Sequence, residues 1–195
     1  LDKPSGLLSV PGRGEDKQDC LISRAQIEFP ELLIVHRLDM STSGIIIMAF
    51  DKDTQRLLSD LFAQREVLKH YTAVVAGKLE HPVGLIDKPM ICDWPNRPRQ
   101  IIDFEKGKPA QTHYETIEYM PEHNTTRLML TPVTGRTHQL RLHCQSIGHA
   151  ILGDRLYASP EAMAGAERLL LHATSLSFAH PISGESILIE SAPPF

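Results

Sequence analysis

Twice in this sequence, two stretches with strand-like alternation face each other across a few turn-forming residues. No other feature restricts the fold as much. Gln111–Met120 and Thr126–Val133 flank Pro121–Asn124, and Leu169–Phe178 and Glu185–Glu190 flank Pro181–Gly184. Connections this short join antiparallel neighbours, because a parallel pair needs a long crossover. Tyr71–Gly77 reads as a further strand, with Tyr71, Ala73 and Val75 on one side and Thr72, Val74 and Ala76 on the other. The apolar, β-branched Gly44–Phe50 reads as another, and Leu1–Pro4 as the end of a strand entering a turn. Helices are fewer. Leu21–Ile27 suits a short one. Asp51 or Asp53 can cap a second, which carries Leu57, Leu58, Leu61 and Phe62 on one face. A third is predicted over Thr137–Ile147, closed by Gly148. The expected class is α+β with a largely antiparallel sheet.

The 195 residues suit one domain spanning 1–195, with an irregular, proline-rich insertion at about 80–109 that has room for two short strands and a long loop. The longest apolar run, Ile45–Phe50, is far short of the roughly 18 residues that span a bilayer, so no membrane partner is expected. Cys20, Cys92 and Cys144 are odd in number and widely spaced, as in reduced thiols. With no signal-peptide or transit-peptide pattern, the expected location is the cytoplasm. The sequence starts at Leu1 rather than at methionine, so truncation at the N-terminus is expected. A net charge of −4 opposes nucleic-acid binding by the body as a whole. The charges are segregated, however. Acids crowd Glu15–Asp19, Asp51–Asp60 and Glu115–Glu122, whereas Arg97–Arg99 and Arg136–Arg141 are basic and free of acids. A local basic cleft on an acidic body can still bind RNA.

Three stretches offer chemistry, and each has a plainer reading. Asp39 stands in His36-Arg37-Leu38-Asp39, just before Ser41-Thr42-Ser43-Gly44. It is either a turn aspartate bonding its own backbone or a carboxylate presented on a loop at a sheet rim. In Thr134–His143, a helical wheel puts His138, Arg141 and Gln145 on one side and Leu140, Cys144 and Ile147 on the other. The polar side is either solvated or a donor set for an anion, which helix-start amides near Thr137 would reinforce. Tyr71 is either core packing or a ring on which a splayed-out base stacks. Metal is not expected, because His138 and His143 are five residues apart, unlike an i, i+4 pair, and no Cys-x-x-Cys accompanies them. Gly135 lacks the Lys-Ser/Thr ending of a phosphate loop, and no Gly-x-Ser-x-Gly elbow occurs.

Together the stretches DKPSGLLSVPG, HRLDMSTSG, KHYTAVVAG, TGRTHQLRLH, GHAILGDRLYAS and LLLHA, in this order, resemble the RluA family of pseudouridine synthases over essentially the whole chain. The insertion ICDWPNRPRQ followed by GKPAQT resembles a dual-specificity branch acting on large-subunit ribosomal RNA and transfer RNA. The resemblance implies a bent, mixed, mostly antiparallel sheet flanked by helices, whose usual first strand lies upstream of Leu1. It implies an enzyme, an RNA isomerase that works without cofactor or metal, and the chain is expected to act as a monomer. Asp39 falls on the family's catalytic aspartate, which attacks the uridine at ribose C1′ or at the base. Arg141 falls on the arginine that keeps this carboxylate ionised, so the pair is expected within salt-bridge reach, near the Tyr71 ring. Tyr71 falls on the tyrosine that stacks on the target base; with a phenol pKa near 10 it is a poor proton acceptor at neutral pH. Arg37 falls on the residue that inserts into RNA when the uridine flips out. Leu171 is expected as an apolar wall beneath Tyr71. His36, Arg136 and His138, with Arg97 and Arg99 of the insertion, complete the expected RNA contacts.

Overall fold

The strand pattern is realised in two compact groups of residues in the computed structural model, which describes residues 1–195. Unit 1 comprises Leu1–Lys69 and His172–Pro194, and unit 2 comprises His70–Leu171 with Phe195. In chain order the first elements are β1 (Asp2–Lys3), α1 (Leu21–Ala25), β2 (Leu33–Ile34), β3 (Ser43–Ile45), β4 (Met48–Ala49) and α2 (Lys52–Gln64). Next come β5 (Leu68–Ala76), β6 (Val83–Asp87), β7 (Met90–Cys92), β8 (Gln100–Ile102), β9 (Gln111–Met120) and β10 (Thr125–Pro132). The chain ends with α3 (Gln139–Ser146), α4 (Pro160–Ala164), β11 (Leu171–Ala179) and β12 (Ser186–Glu190). No helix is long and apolar enough to cross a membrane.

In unit 1, β3 lies between β1, antiparallel to it, and β11, parallel to it, and β12 returns antiparallel along β11. The sheet is therefore mixed, as the resemblance implies. The parallel pair sets His172 beside Ser43 and Ala173 beside Gly44. Gly44 has φ 111°, and a Cβ there would meet the Ala173 carbonyl oxygen at 2.4 Å, so only glycine fits. The single strand expected over Gly44–Phe50 is divided into β3 and β4, and β4 pairs with β2 instead. Two successive buried isoleucines stand at the break. Ile45 joins Leu58, Val67, Leu176 and Phe178, while Ile46 joins Leu7 and Leu21. Successive side chains of extended backbone point to opposite faces, so the two isoleucines serve two cores. The helix α2 begins as expected. Asp51 accepts the Thr54 amide at 2.8 Å, and Leu58, Leu61 and Phe62 pack inward.

Unit 2 is built on a meander in which β10 lies between β5 and β9, with β6 beyond β9, every pairing antiparallel. β5 is apolar on both sides, as its alternation requires. Ala73 and Val75 join Leu128, Leu130, Leu140 and Cys144, and Val74 joins Leu152 and Ala162. Two boundaries differ from expectation. Residues 80–109 hold three strands, of which β6 extends the meander and β7 and β8 form a separate hairpin. The helix expected from Thr137 starts at Gln139, because His138 takes a left-handed backbone (φ 56°) and caps it from outside. Gly148, at φ 84°, follows its end as anticipated.

Candidate active site

The loop that carries Asp39 belongs to unit 1, and the N-terminal segment fixes its main chain. The Ser9 hydroxyl donates to the Leu38 carbonyl at 2.8 Å and accepts the Leu38 amide at 3.1 Å. The Met40 carbonyl receives the Gly6 amide at 2.8 Å and the Lys3 ammonium at 3.0 Å. Ser5 donates to the Ser41 carbonyl at 2.7 Å, and the Thr42 amide closes on the Asp39 carbonyl at 3.1 Å. Asp39 thus lies in a turn whose main chain is tied on both sides of it. Asp39 is half-buried between buried Leu38 and exposed Met40, and Arg37 is exposed.

Lys3 went unmarked in the sequence. Its side chain is fully buried, and its Nζ donates to three carbonyls, Pro4 at 2.9 Å, Leu7 at 2.7 Å and Met40 at 3.0 Å. A buried ammonium needs such donors' partners on every side. It is thereby the post on which the Asp39 turn hangs.

His36, expected to touch RNA, turns inward. Its Nε2 accepts the Ile47 amide at 2.9 Å, at the point where β3 gives way to β4, and its ring stacks on Phe62 at 4.3 Å. Burial above all, with the Lys69 and N-terminal charges, holds its pKa down to about 3. The imidazole is therefore neutral, with its proton on Nδ1. A second buried imidazole, His172, bonds Ser43 through Nδ1 at 2.8 Å and Ser191 through Nε2 at 3.1 Å, pinning the β3–β11 register.

In unit 2, Tyr71 is half-buried and rests on the cluster that contains Ala73, Leu130, Leu140 and the buried Leu171. Arg141 is 4% exposed, and its Nε and Nη2 form a two-pronged bond with Asp154, both at 2.7 Å. Asp154 also accepts the amides of Leu156 at 2.9 Å and Tyr157 at 3.2 Å, so its buried charge is compensated from several sides. Sequence reading missed Asp154, although it stands within GHAILGDRLYAS. A lone acid thirteen positions past the arginine carries no periodic signal.

Of the polar side of α3, His138 and Arg141 are buried and Gln145 is exposed, and two further polar residues, Gln139 and His143, are buried. Gln139 bonds Thr134, the Arg136 amide, Gln111 and Thr112. His143 meets Thr112 at 2.9 Å and the Lys88 carbonyl at 3.1 Å, and burial lowers its pKa. Burial pushes the Cys144 thiol up to about 12, with the Asp154 charge adding to the shift. No three His, Cys, Asp or Glu side chains are grouped to hold a metal.

Three expected site residues converge on Tyr157, a residue the sequence did not single out. Its hydroxyl meets His138 Nδ1 at 2.9 Å, and Arg141 and Arg99 stand over its ring at 5.3 and 5.7 Å. Arg136 is exposed beside the α3 cap and reaches the Pro109 carbonyl at 3.3 Å. Arg97 is exposed and packs its guanidinium on the Trp94 ring at 4.0 Å. The arginines of the insertion thus divide, Arg99 facing its root and Arg97 its tip.

Known proteins share this arrangement of strands and motifs. The family model for RNA pseudouridylate synthase matches residues 1–146. The dual-specificity RNA pseudouridine synthase RluA of Escherichia coli (strain K12) is 52% identical over 195 residues, covering 100% of this chain and 89% of that protein. Its counterpart from Pasteurella multocida (strain Pm70) is 51% identical, with the same coverage. Among solved structures, human RNA pseudouridylate synthase domain containing 1 superposes with a TM-score of 0.79 at 27% identity, covering 97% of this chain and 85% of that one. The matched range takes in the Asp39 turn, β5, the β7–β8 hairpin and α3, and so the chain belongs to the RNA pseudouridylate synthase family, isomerases that convert uridine in RNA to pseudouridine.

Proposed function

We propose that this enzyme isomerises particular uridines in large-subunit ribosomal RNA and in transfer RNA, with Asp39 as the nucleophile. The observation that carries the proposal is the bracing of the Asp39 turn. Leu38, Met40 and Ser41 are each tied by Ser9, Lys3, Gly6 or Ser5, which holds a half-buried carboxylate in one place. Such pre-positioning is what covalent catalysis requires of its nucleophile.

In the ribose route, the Asp39 carboxylate bonds to C1′ while the glycosidic pair leaves with uracil N1. The detached base rotates and C5 bonds to C1′, which expels the carboxylate. The C5 proton then leaves, and N1 ends protonated. In the alternative route the carboxylate adds to the base first. Both are isomerisations with no net oxidation, so neither calls for a redox cofactor. In this scheme Arg141, held by Asp154, is the positive charge that faces the Asp39 carboxylate. Tyr71, on its apolar bed with Leu171, stacks the flipped base, and Arg37 fills the gap left in the RNA. Arg136, Arg97 and Arg99 contribute cationic contacts, while His36 and His138 act by holding backbone and Tyr157 in place. The two units act together as one catalytic domain, a cytoplasmic monomer whose residues 80–109 help to read the RNA. The three free cysteines accord with a reducing compartment.

The test uses RNA carrying tritium at C5 of uridine. The wild-type protein should release label and Asp39→Asn should not. Release by that variant at the wild-type rate would remove Asp39 from the mechanism.

A further inference from the structure

The hairpin β7–β8 has an unusual tip. Trp94 is the chain's one tryptophan and is 67% exposed. An indole left in water forgoes the burial of a large apolar area, and here the loop is organised to keep it there. Asp93 donates its amide to the Arg99 carbonyl at 3.0 Å, and Arg99 donates to Asn96 at 3.1 Å. Asn96 donates to Asp93 twice, from its amide at 3.0 Å and its side chain at 2.9 Å. Arg97 is bound to the indole in two ways, Nε to the Trp94 carbonyl at 2.9 Å and the guanidinium over the ring at 4.0 Å.

The root is equally fixed. The Gln100 amide donates to the Tyr157 hydroxyl at 2.8 Å, and that ring also carries Arg99 and Arg141. A closed tip on an anchored stem presents a flat aromatic surface with one face backed by a cation.

We propose that Trp94, backed by Arg97, is a stacking platform for one unpaired nucleobase of the substrate RNA, separate from the target uridine. Two features choose the ligand. The open indole face takes a flat ring, which every base has. Arg97 at the tip and Arg99 at the root place positive charge on the same hairpin, where a stacked nucleotide carries its phosphate. A protein partner with an apolar patch would meet the ring but not the charges, and duplex RNA would meet the charges but offers no unstacked base. The proposal rests on the reading that this enzyme works on folded RNA.

Because Trp94 is the sole tryptophan, its emission reports the contact directly. The full chain, as Asp39→Asn to prevent turnover, is titrated with an RNA stem-loop bearing unpaired loop nucleotides and with a blunt duplex of equal length. The stem-loop should quench the emission along its binding curve, and the duplex should leave it nearly unchanged. Trp94→Ala should weaken stem-loop binding about tenfold with the salt dependence of log K unaltered, because no charge is lost. Trp94→Phe should restore part of the affinity, and Arg97→Ala should make the salt slope shallower. Wild-type affinity in Trp94→Ala, or equal quenching by the duplex, overturns the platform. Tritium release by the Asp39-intact protein on the same RNA separates the two ideas. Release with no effect of Trp94→Ala sinks the platform alone, and quenched, tight binding without release sinks the isomerase reading alone.

Discussion

At the scale of the residue, a buried imidazole is useful when it has one job and no charge. His36 meets both conditions, accepting the Ile47 amide where the chain changes sheets and lying flat on Phe62. Its pKa of about 3 in the folded protein is below the ordinary imidazole value near 6.5. Between those values the unfolded chain binds a proton that the folded chain does not, so stability rises with pH across this window. Full stability is present above about pH 6.5 and is lost as the pH falls toward 3. His143, whose pKa is also lowered, contributes with the same sign. In denaturant titrations at pH 7 and pH 4.5, His36→Gln should therefore lose less stability on acidification than the wild type. The amide oxygen of glutamine can accept from Ile47 but takes up no proton. Parallel losses would show that His36 is not the group that titrates.

At the scale of the element, α3 depends on a turn outside itself. The pair Arg141–Asp154 is nearly inaccessible, with side chains 5% and 0% exposed, and it joins the helix to the chain from Ile151 to Tyr157. Removing one partner of such a pair strands a buried charge. Asp154→Ala should cost about 3–5 kcal/mol, measured by urea unfolding, and the pairwise part follows from a double-mutant cycle with Arg141→Met. A loss of under about 1 kcal/mol would mean that water reaches the arginine.

The same helix shows what was legible beforehand. The hairpin β9–β10 was readable because alternation and turn residues are local signals, and so was the apolar side of α3, with Leu140 and Cys144 in the core. Its polar side, His138, Arg141 and Gln145, read as an anion-binding or solvated face, yet His138 and Arg141 are buried and only Gln145 is exposed. Gln139 and His143 are buried as well. A helical wheel says which residues share a side but not what packs against that side, and the partners Asp154, Thr112 and Lys88 lie 13 to 55 positions away. The left-handed His138 was invisible for a related reason, because its φ is set by the Tyr157 contact and the Gln139 network rather than by its neighbours' propensities. Asp39 was singled out through its motif, but nothing local to HRLD reveals that Lys3 and Ser9 hold the turn.

At the scale of the whole molecule, an acidic chain of net charge −4 must attract RNA through a minority of its surface. Its affinity will therefore depend steeply on salt. The chain's route has a different consequence. Unit 2 is one continuous stretch, whereas unit 1 is made from both ends of the sequence, and the parallel pairing of β3 with β11 brings together residues 129 positions apart. Closing that span in a disordered chain costs about 4 kcal/mol in loop entropy. Within unit 2, however, the Val74 amide bonds the Leu170 carbonyl at 3.1 Å, so once that unit is formed the distance is short-circuited. The saving is about 1 kcal/mol, enough to favour one order of events. In refolding followed by pulsed hydrogen exchange, amides of β9 and β10 should gain protection before those of β3, and simultaneous protection would refute this order. During synthesis the Asp39 turn leaves the ribosome early but waits for some 130 more residues before its strand has a neighbour in β11. The nascent chain carries the Asp39 turn long before β11 exists to pair with β3, so that edge of β3 stays open until the last strands emerge.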